Sequence, residues 1–376
     1  MDPWVEATAR EIVRHAEREL DALVGVSSQS GDTRGAEEAL AVCSAVLPPE
    51  AEIERPACSS PGYAPDLIAT LRGTGGRRLM LLGHVDTVVA TDEHRPLQRD
   101  GRKLTGSGTV DMKGGVVLSL GIMRALALRP DDYAEVALLL VTDEEWRTHG
   151  LVHAERFAGF DACLCFEAGQ LGAGGDEGVI VRRKAAGTLR VQARGVSAHS
   201  GSAPDKGRNA LLALAAAAEH VASCHDPGGE QQLSAVPTII NSGEAFNVVP
   251  SGGELFCDLR ANELAAFDRV IGSVPAEVGG ATLHAELVRQ WPGMDARDGT
   301  ADLLAAGSAR LGRTIVGLER GGASDASHMA QHVPLTVDGL GPRGGGAHNP
   351  DEYVLAESLE PRAQVALALV AALLGI

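Results

Sequence analysis

Apolar positions recur every three or four residues through 4–25 and again through 34–46, the pattern of helices with one buried stripe. The period then changes. Residues 67–72 (Leu-Ile-Ala-Thr-Leu-Arg) and 78–83 (Arg-Leu-Met-Leu-Leu-Gly) predict strands. The second is an unbroken apolar run, as a strand covered on both faces requires. Two further runs of this kind lie at 135–142 and 161–166, and a helix over 114–128, opened by Gly114-Gly115, precedes them. Buried strands alternating with helices predict an α/β fold on a mixed, mostly parallel sheet sandwiched by helices.

The middle of the chain follows another rule. Residues 188–194 (Thr-Leu-Arg-Val-Gln-Ala-Arg) alternate apolar and polar, which predicts a half-exposed strand. An Ala/Leu-rich helix over 207–222, strands near 234–241 and 253–260, a helix near 263–274 and a strand near 281–289 follow. The order β-α-β-β-α-β is the split ferredoxin-like unit. Residues 187–294 are therefore expected to form an α+β domain inserted into a first domain made of 1–186 and 295–376. A helix at 299–311, a strand at 334–340 and a closing helix at 355–374 complete that first domain, with Gly-rich loops at 172–178 and 341–346.

A length of 376 residues suits two domains. Hydrophobic residues make up 44% but aromatics only 3%, so Leu, Val and Ala must fill the core. The net charge of −17 opposes nucleic acid and anionic membrane surfaces as partners. No apolar run reaches the roughly 18–20 residues of a membrane span. The opening Met-Asp-Pro-Trp-Val-Glu lacks the basic start and apolar core of a secretory leader, and six cysteines suit a reducing cytosol, so a cytoplasmic location is expected. Cys163 and Cys165 would share a strand face with Glu167; two small buried thiols are the favoured reading over a metal-thiolate pair.

Candidate chemistry gathers where these elements end. His84 closes an apolar run, and Asp86, two residues on, is well placed to hold the second ring nitrogen of a ligating imidazole. Asp111 lies among glycines in Gly-Ser-Gly-Thr-Val-Asp-Met-Lys-Gly-Gly, where a carboxylate could bridge two cations. Glu144 and Glu145 follow a strand, so their side chains diverge and one can bind a metal while the other serves as base. Glu167 follows the 161–166 strand, and His348 lies in a late loop. Each feature alone is common on structural grounds. Together they are the ligand set that two divalent cations need when they share one carboxylate, with one carboxylate to spare.

The ordered motifs His-x-Asp (84–86), Gly-x-x-Asp-Met-Lys-Gly-Gly (108–115), Asp-Glu-Glu (143–145), Phe-Glu (166–167) and the late His348 resemble those of the dinuclear zinc exopeptidase/deacylase family. Glutamate carboxypeptidase, acetylornithine deacetylase, succinyl-diaminopimelate desuccinylase and aminoacylase belong to it. The match runs from about residue 66 to 355, and the stretch from Glu319 to His348 most resembles the bacterial glutamate carboxypeptidases. The resemblance implies that His84 and Glu167 bind one cation and Glu145 and His348 the other, with Asp111 bridging. Zinc would be the metal, with cobalt or manganese as substitutes. Glu144 would be general base and then general acid, Asp86 would orient His84, and the Asp111–Met112 peptide would be cis.

Residues 195–210 resemble the family's lid segment, which implies that His199 donates to the developing oxyanion, often from the partner subunit. Asn247 and Arg260 match lid positions that hold a substrate carboxylate, for which an Arg fork is suited. The implied protein is a homodimer joined through a lid domain, hydrolysing the amide bond of an N-acyl amino acid or of a small peptide with a free carboxylate. The alternatives are a dipeptidase or aminopeptidase of related fold, or an inactive binding homologue. The lid residues favour a substrate carboxylate over a free N-terminus, and no site position is broken. Two departures stand out: Trp146-Arg147-Thr148-His149, where relatives have small residues, is expected to add bulk near the metal floor, and Ala323 stands where close relatives have Gly.

Overall fold

The unbroken apolar runs lie side by side in one six-stranded sheet in the computed structural model, which describes residues 1–376. The strand order is Glu52–Glu54, Leu67–Arg72, Glu135–Val141, Arg78–His84, Ala162–Cys165, Thr336–Val337. The first two pairings are antiparallel and the remaining three parallel. This sheet belongs to the first of two units, which comprises Met1–Arg182, Asp295–Arg320 and Ser324–Ile376.

The helices of this unit follow from their sequences. Pro3–Val24 buries Val5, Ala9, Ile12, Ala16, Leu20 and Leu23 as one stripe, and Asp2 caps it by accepting the Trp4 N–H at 2.9 Å. Leu359–Leu374 is buried along most of its length, as its Ala-Leu-Val composition demands, and ends at Gly375 in the left-handed region. It starts later than the 355 expected, because Tyr353–Leu355 pairs with Lys103–Thr105 and a turn at Ala356–Ser358 intervenes.

Three further expectations need correction. The strand expected at 334–340 pairs in the central sheet only at Thr336–Val337; Asp338 then exchanges backbone hydrogen bonds with Ile180, which draws the chain away. Glu177–Arg183 and Ile315–Arg320 are strands that the pattern did not predict, since glycines at 178 and 317 interrupt their short apolar runs. Gly344–Gly345, expected in a loop, pairs with Tyr353–Leu355.

The second unit comprises Arg183–Met294 and Gly321–Ala323. Its sheet is wholly antiparallel, in the order Ser234–Ser242, Gly252–Ala261, Ala185–Arg194, Ala281–Trp291, Glu277–Val278. With helices Ala210–Ser223 and Ala266–Ser273 this is the ferredoxin-like order. The alternation at 185–194 sends Leu189, Val191 and Ala193 into a core shared with Leu214, Val221, Leu255, Leu259 and Phe267. No helix of the chain is long and apolar enough to cross a membrane.

Candidate metal centre

Three neighbouring parallel strands deliver acidic and imidazole side chains to one sheet edge. His84 ends Arg78–His84, Glu144 and Glu145 follow Glu135–Val141, and Glu167 lies two residues past Ala162–Cys165. The C-terminal edge of such a sheet is where α/β folds bind ligands. Asp111 comes from the glycine-rich turn, with Gly108 at φ 75° and a cis Asp111–Met112 peptide. The helix Gly114–Ala127 starts against the Glu167 segment; a Cβ on Gly115 would stand 1.8 Å from the Phe166 carbonyl oxygen, so the approach requires glycine. His348 sits at φ 66° in the hairpin between Gly344–Gly345 and Tyr353–Leu355.

These side chains meet in two groups that share Asp111. His84 Nε2 lies 3.2 Å from Asp111 Oδ1 and 3.7 Å from Glu167 Oε1. His348 Nε2 lies 3.2 Å from Asp111 Oδ2 and 3.3 Å from Glu145 Oε2. Glu144 joins His84 and Glu145 in a third group, and within each group the ligand atoms lie within 4.8 Å of one another.

The ring of His84 is oriented from behind. Its Nδ1 donates to the Asp86 carbonyl oxygen at 3.0 Å and lies 3.4 Å from Asp86 Oδ1. The carbonyl can only accept, so Nδ1 carries a proton, and Nε2 faces Asp111 and Glu167, as a donor when the ring is protonated and as a lone pair for a cation when it is neutral. Electron pairs facing each other at that distance need a proton or a cation between them. Asp86, fully buried, also accepts the N–H groups of Glu144 and Glu145 at 3.2 and 3.1 Å, and so ties the two strand ends together.

Electrostatics point the same way. Burial pushes the carboxyls of Glu144 and Glu145 up to about 7. Burial also opposes charge on Asp111, but hydrogen bonds from His348 and His84 outweigh it and hold that carboxyl well below its usual range. Hydrogen bonds to Asp111 and Glu145 raise His348 to about 11. Four carboxylates against two imidazoles leave excess negative charge in a largely buried space, which divalent cations in both groups would offset. The donor set, imidazole nitrogen with carboxylate oxygen and no thiolate, fits zinc and its neighbours. Cys163 and Cys165 are buried in the central sheet, outside every such group.

Glu352, which the sequence did not single out, and Arg147, which it marked only as bulk, support the cluster. Glu352, 1% exposed, accepts backbone N–H groups from Gly108, Val110 and Asp111. Arg147 corrects the expectation of bulk at the metal floor: Trp146 and His149 are exposed, while Arg147 is fully buried and paired with Asp143 at 3.0 Å and with Asp325. Asp143 also accepts the Ser60 N–H at 2.7 Å. A buried guanidinium requires such acid partners, and here they tie the Glu144–Glu145 turn to the Ser324–Asp325 segment.

The residues expected to contact substrate belong to the second unit. The His199 and Asn247 segments lie together: His199 bridges to Val248, and the Asn247 carbonyl accepts the Ser200 N–H at 3.1 Å. His199 Nδ1 accepts N–H groups from Gly201 and Ser202 at 3.1 and 3.2 Å, which leaves the proton on Nε2. Arg260 stands at the opposite end of Gly252–Ala261, paired through Nε and Nη2 with Asp258.

Comparison with known proteins gives a consistent family. The model of peptidase family M20/M25/M40 matches residues 80–372. The chain is 26% identical over 374 residues to carboxypeptidase G2 of Pseudomonas sp. (strain RS-16), covering 93% of this chain and 87% of that one. It is 31% identical over 312 residues to succinyl-diaminopimelate desuccinylase of Rhodospirillum centenum, covering 76% and 79%. Among solved structures, the aminopeptidase PepT of Bacillus cereus superposes with a TM-score of 0.76 at 21% identity, covering 96% of this chain and 98% of that one, and so shares the fold.

Proposed function

The chain belongs to peptidase family M20/M25/M40 and is a metallohydrolase of amide or peptide bonds, and from that premise we propose that its substrates are N-acyl amino acids or small peptides with a free carboxylate. The observation that carries the reading is the pair of groups built on Asp111. His84 and Glu167 would hold one zinc ion, Glu145 and His348 the other, and Asp111 both. Bound there, the cations would acidify water and polarise the scissile carbonyl.

The chain's own groups supply the rest. Glu144 lies beside the cluster without being required as a ligand in either Asp111 group. Its carboxylate takes the proton from the attacking water and returns it to the leaving amine nitrogen. Asp86 holds the ring of His84 and the backbone of both glutamates. His199, its proton kept on Nε2, donates to the developing oxyanion. Arg260 of one copy and Asn247 of the other hold the substrate carboxylate; Asp258 presets the guanidinium plane and leaves Nη1 outside the pair. The relatives' names, a carboxypeptidase and a succinyl-diaminopimelate desuccinylase, support this substrate class. Free cysteines support a cytoplasmic location.

Matched substrates test the reading. Replacing the substrate's carboxylate by carboxamide should lower kcat/KM of the zinc-loaded protein roughly 10²–10³-fold. Equal rates on both, or a requirement for a free N-terminal amine, would contradict it.

The geometry of the second unit supports a homodimer with shared sites. From Gly252, near Asn247, to Arg260 the strand rises eight residues, roughly 27 Å at about 3.4 Å each. One small substrate cannot span His199 and Arg260 of the same copy, so one copy's His199 would complete the site holding the other's Arg260. The edge strand Ser234–Ser242, with exposed Val236, Ile239 and Ile240, offers a seam for the partner. Mixing inactive His199→Ala and Arg260→Ala proteins, with subunit exchange, should restore about a quarter of wild-type activity, because half the dimers are mixed and each holds one intact site. No recovery despite verified exchange would contradict sharing.

A further inference from the structure

We propose that Glu352 is a positioning residue that sets the Asp111–His348 half of the metal centre, an inference that rests on the two-cation reading above. Its carboxylate occupies the centre of the glycine-rich turn: Oε1 accepts the N–H groups of Val110 at 2.5 Å and Asp111 at 2.7 Å, and Oε2 that of Gly108 at 3.2 Å. Backbone N–H groups converging on one anion form a nest. Here the acceptor is a side chain of the protein itself.

The same residue anchors the loop that carries the late histidine. Its main-chain oxygen accepts the Gly106 N–H at 2.9 Å, and its N–H donates to the Asn349 carbonyl at 3.0 Å. Asn349 in turn donates its N–H to Gly346 at 3.0 Å, so the turn around His348 is closed on both sides. His348 adopts a left-handed φ of 66°, which non-glycine residues reach seldom and which this closed turn maintains. Asp111 and His348 are 237 positions apart in the chain, yet their side chains meet at 3.2 Å. Glu352 binds the backbone of the first directly and lies four residues after the second. No other side chain accepts the Asp111 N–H, and no sequence motif joins the two loops.

The chemistry expected of such a role is specific. Groups that orient ligands from outside the metal's own contacts change metal affinity or activity about 10–100-fold when replaced. Glu352→Gln keeps the volume but exchanges one acceptor oxygen for an NH₂ group that faces a backbone N–H; Glu352→Ala removes every acceptor.

The test is a calorimetric zinc titration of metal-stripped wild-type, Glu352→Gln and Glu352→Ala proteins, together with the visible spectrum of each after loading with cobalt. Wild type should take up two equivalents. Both variants should bind one equivalent about 10–100-fold more weakly and show an altered cobalt spectrum, with kcat lowered more than KM is raised. If Glu352→Ala fails to fold, judged by circular dichroism, the Gln variant decides. Folded variants that bind two equivalents with wild-type affinity and an unchanged cobalt spectrum would overturn the proposal. A wild-type chain that binds no cation would instead contradict the two-cation reading, and this inference with it.

Discussion

Glu144→Ala is expected to lower kcat roughly 10³–10⁴-fold, the upper part of the range for general acid–base groups, because the one carboxylate serves in both directions of proton transfer. The proposed mechanism divides the labour between two adjacent glutamates. Asp86 accepts both of their backbone N–H groups, which fixes the turn so that the side chains diverge. Glu145 meets His348 at 3.3 Å, whereas Glu144 lies with His84 and Glu145 at the edge of the cluster, 8% exposed. The variant should therefore keep its full complement of zinc, measured by elemental analysis on the same sample used for kinetics. Near-normal turnover would remove Glu144 as the proton carrier. Loss of zinc together with turnover would make it a ligand instead.

Loss of the cations should have at least as large an effect. Lewis-acid stabilisation and water activation are each worth several kcal/mol, so their removal costs more than about three orders of magnitude in rate. Asp111 is the point where this dependence concentrates, since its two oxygens face His84 and His348 from opposite sides. Asp111→Ala should mimic chelation, weakening both sites at once, while added zinc should fail to rescue it. By contrast, chelated wild-type protein should recover on addition of zinc, cobalt or manganese.

Much of this centre was legible in the chain because its chemistry sits where periodicity ends. His84, Glu144 and Glu167 each follow an apolar run, and parallel strands bring such endings to one edge. Asp111 was marked by its glycines. Glu352 was not, because Asp-Glu-Tyr in a loop looks like ordinary solvated acid; the only signal was the cluster of backbone N–H groups in the 106–111 turn that required an acceptor. Arg147 misled for a related reason. The run Trp146-Arg147-Thr148-His149 reads as bulk near the pocket, yet the partners of Arg147, Asp143 and Asp325, are 182 positions apart and draw its side chain inward. The short strands Glu177–Arg183 and Ile315–Arg320 are glycine-interrupted and gain their identity from each other, which local pattern does not record. The pairing of Asp258 with Arg260 was open to inspection, as residues two apart on a strand share a face.

The claim on which the rest depends is that two cations, held through Asp111, are required for amide hydrolysis. Its most direct test is to strip the protein exhaustively with a chelator and return zinc by measured equivalents while following hydrolysis of an N-acyl amino acid. The account predicts no hydrolysis in the stripped protein and a rise to full activity as the added zinc reaches two equivalents per chain. Undiminished hydrolysis in protein verified to contain no metal would contradict it.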